Sequence, residues 1–182
     1  MKKNYLLVAT LFLMVNVAYA QSNVILSGGW VTASPDDSDT SVDGFKVGGQ
    51  FERVVGDNKG AVGLEISYLG FKETRDLATT KFHAWPIDVY GKYFLGKSKL
   101  QGYLKGLAGV QFFTAKAEGT TNGGDATTKD FGFSVGAGAG ANFNVNEKLF
   151  LNVDYEFLYL TNSFYNNGIT NAVTLGLGFK IN

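Results

Sequence analysis

Apolar and polar residues alternate with a period of two along most of the chain beyond residue 20. Side chains of an extended strand point to opposite faces in turn, so this alternation predicts strands with one apolar face each. The pattern runs to the last residues of the sequence over Asn171–Asn182. Val173, Leu175, Leu177, Phe179 and Ile181 share one face there, and Thr174, Gly176, Gly178 and Lys180 share the other. A terminal strand frays unless it is paired. Because the alternation does not fade here, this strand is expected to lie between two neighbours, as in a closed barrel.

Seven further strands are predicted upstream, over about Asn23–Ala33, Asp43–Val55, Ala61–Tyr68, Phe82–Leu95, Lys99–Thr114, Asp130–Phe143 and Lys148–Leu160. The third is the cleanest: Val62, Leu64, Ile66 and Tyr68 oppose Ala61, Gly63, Glu65 and Ser67. Pro86 falls inside the fourth and is expected to impose a bulge near its start. The connections read as long, short, long, short, long, short, long. The short ones include Gly56–Lys59, Gly96–Ser98 and Asn144–Glu147; the long ones are about Ser34–Ser41, Lys72–Thr80, Ala115–Lys129 and Thr161–Gly168. Eight strands of about ten residues match a membrane-crossing barrel, which needs about 9–11 residues per strand. Such barrels also keep their short turns on the periplasmic side and their long loops outside. The fold class predicted is all-β, an eight-stranded antiparallel up-and-down transmembrane β-barrel.

Alternation alone does not say which face points inward. An inward apolar face would make a soluble lipocalin-like ligand carrier, and Gly28-Gly29-Trp30 and Val153-Asp154-Tyr155 resemble lipocalin motifs. An outward apolar face would meet lipid. The polar face holds many Gly, Ser and Asn residues rather than the dense Lys and Glu of a soluble surface. Trp30, Tyr68, Trp85, Tyr93, Phe112, Phe131, Phe143, Tyr159 and Phe179 lie toward strand ends on the apolar face, as an interfacial girdle would. The lipid-facing arrangement is therefore preferred.

Composition supports that choice. With 24 Gly, two Pro and 14% aromatic residues, a helical fold is disfavoured. Lys2 and Lys3, the apolar run Tyr5–Val17 and the small-any-small triplet Ala18-Tyr19-Ala20 predict a cleaved signal peptide at 1–20. The expected mature unit, 21–182, is one domain. Removing Lys2 and Lys3 leaves 14 basic and 16 acidic residues, with no basic field for nucleic acid. The absence of Cys excludes disulfides and a lipoprotein anchor.

The terminal strand also carries a resemblance. Thr174, Gly176, Phe179 and Ile181 fill the polar–Gly–aromatic–hydrophobic order of the C-terminal assembly signal of bacterial outer-membrane barrels, with Ile181 where an aromatic is usual and Asn182 after it. With the strand pattern, the mature chain resembles the small eight-stranded outer-membrane barrels of the OmpA-domain and OmpX kind, also labelled porin-like. The resemblance implies the outer membrane of a Gram-negative-type bacterium. Its lipid and the barrel-assembly machinery are implied as partners, and surface ligands or host molecules could meet the outer loops. No peptidoglycan-binding domain is expected after the barrel. The implied role is structural, surface-interactive or limited small-solute passage; the alternatives are a lipid-modifying outer-membrane enzyme and the lipocalin-like carrier.

Candidate chemistry lies mostly inside. Strand parity sends Lys46, Glu52, Glu65, Asp88, Lys92, Lys105, Asp154, Glu156 and Lys180 to the lumen. There they should pair, as a structural polar core or as a gate. His83, the lone histidine, points toward lipid or headgroups, and no serine or acid is dictated beside it. No catalytic residue, cofactor site or metal site is assigned: one His and no Cys leave only scattered carboxylates, and Asp36, Asp37 and Asp39 read as a solvated loop. The Gly136, Gly138, Gly140 run lies in a strand with no Lys-Ser/Thr after it, so it is not a phosphate loop.

Overall fold

Eight antiparallel strands pair in chain order and then close on themselves. They are β1 (Ser22–Pro35), β2 (Val42–Val55), β3 (Gly60–Arg75), β4 (Ala78–Leu95), β5 (Leu100–Glu118), β6 (Ala126–Asn144), β7 (Leu149–Thr161) and β8 (Gly168–Ile181). The structure is a computed structural model and describes residues 21–35, 41–75, 78–96, 98–118, 126–161 and 168–181. The expected signal peptide, the aspartates at 36, 37 and 39, and half of the expected outer-loop residues lie outside the described residues.

The seam between β1 and β8 runs from Ser22↔Ile181 to Pro35↔Gly168. Neither strand keeps an open edge, which is what the unbroken alternation of Val173 to Ile181 anticipated. The apolar parity faces outward. Leu26, Trp30, Val89, Phe133 and Leu175 are all more than half exposed, whereas Glu52 and Asp154 are fully buried. This inside-out distribution is stable only where lipid covers the apolar surface. No described helix is long and apolar enough to cross a membrane, and this chain crosses with strands. At 13 to 19 residues, the strands exceed the span and stand clear of it at their ends.

Two local expectations are corrected. Pro86 makes no bulge. The β3–β4 register is the same at Ile66↔Ile87 and at Leu69↔Ala84, and only the two pairs between them drop out. Toward β5 the pairing continues through Pro86↔Gln111. Proline withholds one N–H from the ladder, and the loss is absorbed on one side without an inserted residue. The second correction concerns loops. The expected connection Lys72–Thr80 is mostly strand, paired from Lys72↔Lys81 to Arg75↔Ala78. The expected loop Ala115–Lys129 is likewise strand at both ends, paired out to Ala117↔Ala126. Thr74, Thr79, Thr127 and Thr128 are β-branched residues suited to extended structure, and tertiary pairing overrides the polar composition that suggested loops.

Glycines on the inward face seat large rings. A Cβ on Gly63 would stand 2.5 Å from Cζ of Tyr90, its cross-strand partner. A Cβ on Gly140 would stand at the same 2.5 Å from Cζ of Tyr103, again its partner. These absent side chains let two tyrosines lie flat across the narrow interior.

Candidate functional site

The barrel interior is layered. At the end with the short turns, Val54, Ala61, Phe94 and Tyr103 pack together. A recess of about 200 Å³ opens there, lined by amides including Asn23, Gln101, Asn142 and Asn144 and by Lys180. Asn152 donates to the Tyr103 hydroxyl and to Asn142 Oδ1, each at 2.8 Å, and forms the floor of this layer.

The charged layer sits at mid-height. Lys105 Nζ, from β5, lies 2.7 Å from Glu65 and 3.1 Å from Asp154, and also pairs closely with Glu156. Lys46, from β2, lies 2.7 Å from Glu65 and pairs with Glu156 as well. Five side chains from β2, β3, β5 and β7 thus form one cluster. A second centre joins Lys92 to Glu52 at 2.8 Å, with Gln50 and Asn23 completing its hydrogen bonds. Tyr90 connects the two. Its hydroxyl donates to Glu52 at 3.2 Å, and its ring centroid lies 5.1 Å from Lys92 Nζ and 4.8 Å from Lys105 Nζ. Asp88 accepts a hydrogen bond from the Ser134 hydroxyl. The parity of alternating strands brings these residues together, because each is the inward member of its pair.

Eight of the nine inward charges named from the sequence lie in this buried layer: Lys46, Glu52, Glu65, Asp88, Lys92, Lys105, Asp154 and Glu156. Lys180 stands apart at the inner mouth, half-buried, with no ion pair among the described residues. The layer holds three lysines against five carboxylates. Buried charges of this kind persist only when paired and hydrogen-bonded, which explains the ring of neutral partners Asn23, Gln50, Tyr90 and Ser134. Composition did not single out those partners, although their inward parity was available.

Above the charges the lumen is apolar. Val31, Ala33, Val42, Leu69, Phe71, Phe82, Ala84, Phe113, Ala115 and Ala172 form one buried cluster from β1 to β5 and β8. Phe82 and Phe113 stack at 6.2 Å. The sequence reading expected a paired charged core in the lumen and did not identify this apolar layer. Val31, Ala33, Phe82, Ala84 and Phe113 come from within the expected strands, where they were given no face, and Phe71 and Ala115 come from the strand extensions beyond them.

On the outside, Tyr68 and Trp85 meet edge-on at 4.9 Å, and Phe112 and Phe131 lie 5.5 Å apart, within the expected girdle. His83 stacks on Tyr68 at 5.6 Å and shares a short hydrogen bond with its hydroxyl. The sequence reading missed this partner, though the Gly70↔His83 register places Tyr68 diagonally beside it. In the assembly-signal stretch, Thr174 is buried inward, Gly176 is half-buried, and Phe179 and Ile181 are exposed outward. Among the described residues, no group of three or more His, Cys, Asp or Glu side chains could hold a metal.

A closed antiparallel barrel with a lipid-facing exterior and a filled lumen defines an integral outer-membrane β-barrel protein. This chain belongs to the family described as the outer membrane protein beta-barrel domain, whose model matches residues 5–180. The fold is similar to that of Ail, the attachment invasion locus protein of Yersinia pestis, with TM-score 0.61 and 17% identity over 89% of this chain and 99% of that one. It is also similar to Neisserial surface protein A, with TM-score 0.57 and 16% identity over 88% and 97%. The outer membrane enzyme PagL shares the fold at TM-score 0.52 and 13% identity, over 86% and 97%. No curated protein matches. The protein is accordingly placed in the outer membrane of a Gram-negative bacterium.

Proposed function

We propose that this barrel is a non-enzymatic, closed-lumen protein that acts through its outer surface rather than by conducting solutes. The apolar layer of Leu69, Phe71, Phe82 and Phe113 above the charge network carries this reading. A hydrophobic constriction dewets, and the ion-paired layer beneath it fills the cross-section with large side chains. Small-solute passage would have to break both layers. A catalytic role finds little support: His83 faces the membrane side with Tyr68 as its ring partner, and no described serine or carboxylate is hydrogen-bonded to it.

The partners in this reading are outer-membrane lipid around the girdle, the barrel-assembly machinery at Thr174, Gly176, Phe179 and Ile181, and surface ligands or host molecules at the outer loops. The likeness in fold to an attachment protein that has been crystallised with the heparin analogue sucrose octasulfate supports the surface role. The test is planar-bilayer recording of the purified chain. Little or only brief conductance is the expected result. A stable channel that admits sugars would move the role to solute passage.

A further inference from the structure

At the short-turn mouth the inward strand ends carry carboxamides where the mid-height layer carries charges. Asn23 and Lys180 are direct partners across the β1–β8 seam, and Gln101 and Asn142 are direct partners across the β5–β6 ladder. Together with Asn144 they line the recess of about 200 Å³. Among the described residues, no acidic side chain lines it, and Lys180 is its one cation. Its floor is Asn152, which donates to Asn142 Oδ1 at 2.8 Å. Phe94 and Phe150 supply apolar wall. The other mouth is of a different kind, because Phe71, Phe82 and Phe113 fill the lumen there.

Much of the hydrogen-bonding capacity of this recess is unspent. Asn142 accepts through Oδ1, and its amide hydrogens have no partner among the described residues. Gln101 donates to the Gly96 carbonyl at 3.2 Å, which leaves its Oε1 open among the described residues. Asn144 donates to the Lys99 carbonyl at 3.5 Å, which leaves its Oδ1 open in the same way. The recess therefore offers donors, acceptors and one positive charge. A bare inorganic anion has no use for the acceptors. A sugar hydroxyl both donates and accepts, and a carboxamide answers both needs. Apolar wall with a few convergent polar groups is the usual make-up of a small-molecule site. A cavity of about 150 Å³ holds benzene, so about 200 Å³ suits one six-membered ring with its substituents.

We propose that this recess binds a single sugar ring that bears a carboxylate. The carboxylate pairs with Lys180, and the ring hydroxyls meet Asn142, Gln101 and Asn144. The C–H face of the ring lies toward Phe94 and Phe150. A charge-assisted hydrogen bond is about twice as strong as a neutral one, so the carboxylate sets the affinity and the amides set the orientation. With the short turns on the periplasmic side, the ligand comes from the periplasm. The recess lies beneath both closed layers of the lumen, so its failure would leave the closed-lumen reading untouched.

The experiment titrates the isotope-labelled full chain in detergent, where both mouths are open to solvent. The probes are glucuronate, galacturonate, glucose and acetate at fixed ionic strength, and affinity is read from chemical-shift changes. At least one uronate should saturate the chain one to one. Glucose lacks the carboxylate and acetate lacks the hydroxyls, so each should bind about ten-fold more weakly or worse. Lys180→Gln should weaken the uronate by about ten-fold and leave glucose unchanged, a split that a general disturbance of the mouth would not give. Gln101→Ala should weaken uronate and glucose alike, by about five-fold. Lys72→Gln, at the other mouth, should bind as wild type. Failure of both uronates to saturate the chain overturns the proposal. So does acetate or glucose binding as tightly as the uronate, or wild-type affinity in the folded Lys180→Gln variant.

Discussion

Lys105→Met tests the charged layer most directly. Lys105 Nζ meets Glu65, Asp154 and Glu156, and its side chain is wholly buried. Methionine keeps most of the stem's length and removes the charge, so little cavity is created. Three carboxylates would then share Lys46 alone, which reaches only Glu65 and Glu156. Asp154 would lose its one ion pair. Removing one partner of a buried ion pair costs about 3–5 kcal/mol. In a chain of this size, each kcal/mol corresponds to roughly 2–4 °C, so the melting midpoint should fall by on the order of 10 °C. The assay is the temperature at which the heat-modifiable folded band is lost in lipid vesicles. Lys180→Met provides the comparison: that lysine lines the mouth without an ion pair and should change stability by less than about 1 kcal/mol. Lys105→Met/Asp154→Asn should recover part of the loss, since it removes the carboxylate left without an ion pair. If Lys105→Met melts within about a degree of wild type, the charge network does not hold this interior together. In planar bilayers, the same single variant should conduct more than wild type, because the mid-height layer is loosened.

Phe179→Ala should lower the folded, membrane-inserted fraction and leave misassembled protein in the periplasm. Equal folded fractions by gel mobility would count against an assembly role for this exposed ring. Gly123→Cys, in the connection after β5, should label on whole cells with an impermeant thiol reagent while Asn58→Cys, in the β2–β3 turn, stays dark; the reverse pattern would sink the orientation. Gly63→Ala should destabilise the barrel by about 1–3 kcal/mol, because its new methyl group meets both the Tyr90 ring and the Phe51 carbonyl oxygen. A melting point equal to wild type would show that the ring and the neighbouring strand both give way at little cost.

The strands were legible because each has a single strict period. Val62, Leu64 and Ile66 can only be the lipid face once Glu65 is sent inward, and one slip in register would reverse the whole set. The same parity brought Lys46, Glu65, Lys105 and Glu156 to one interior. Which lysine meets which carboxylate was not legible, since that depends on the stagger between non-adjacent strands. The apolar layer was missed for a different reason. Phe71 and Ala115 border Thr- and Lys-rich segments whose composition suggested loops, and only cross-strand pairing shows that strand geometry continues there; Phe82 lay inside an expected strand but was given no face. Pro86 misled in the opposite direction, because one missing donor is a smaller disturbance than an inserted residue.

The seam between β1 and β8 has a consequence for how the molecule forms. Its pairs, from Ser22↔Ile181 to Pro35↔Gly168, join the two strands most distant in sequence, while every other ladder joins neighbours. Hairpins can therefore zip early, each closing a short stretch of chain. The seam must wait until all eight strands are present, and it carries nearly the whole loop-closure entropy of the barrel. Until it closes, two unsatisfied strand edges face a medium that offers no water to pair with them. A partly made chain thus has no partly stable product, and a template that occupies one edge while the other approaches would set the pace of maturation.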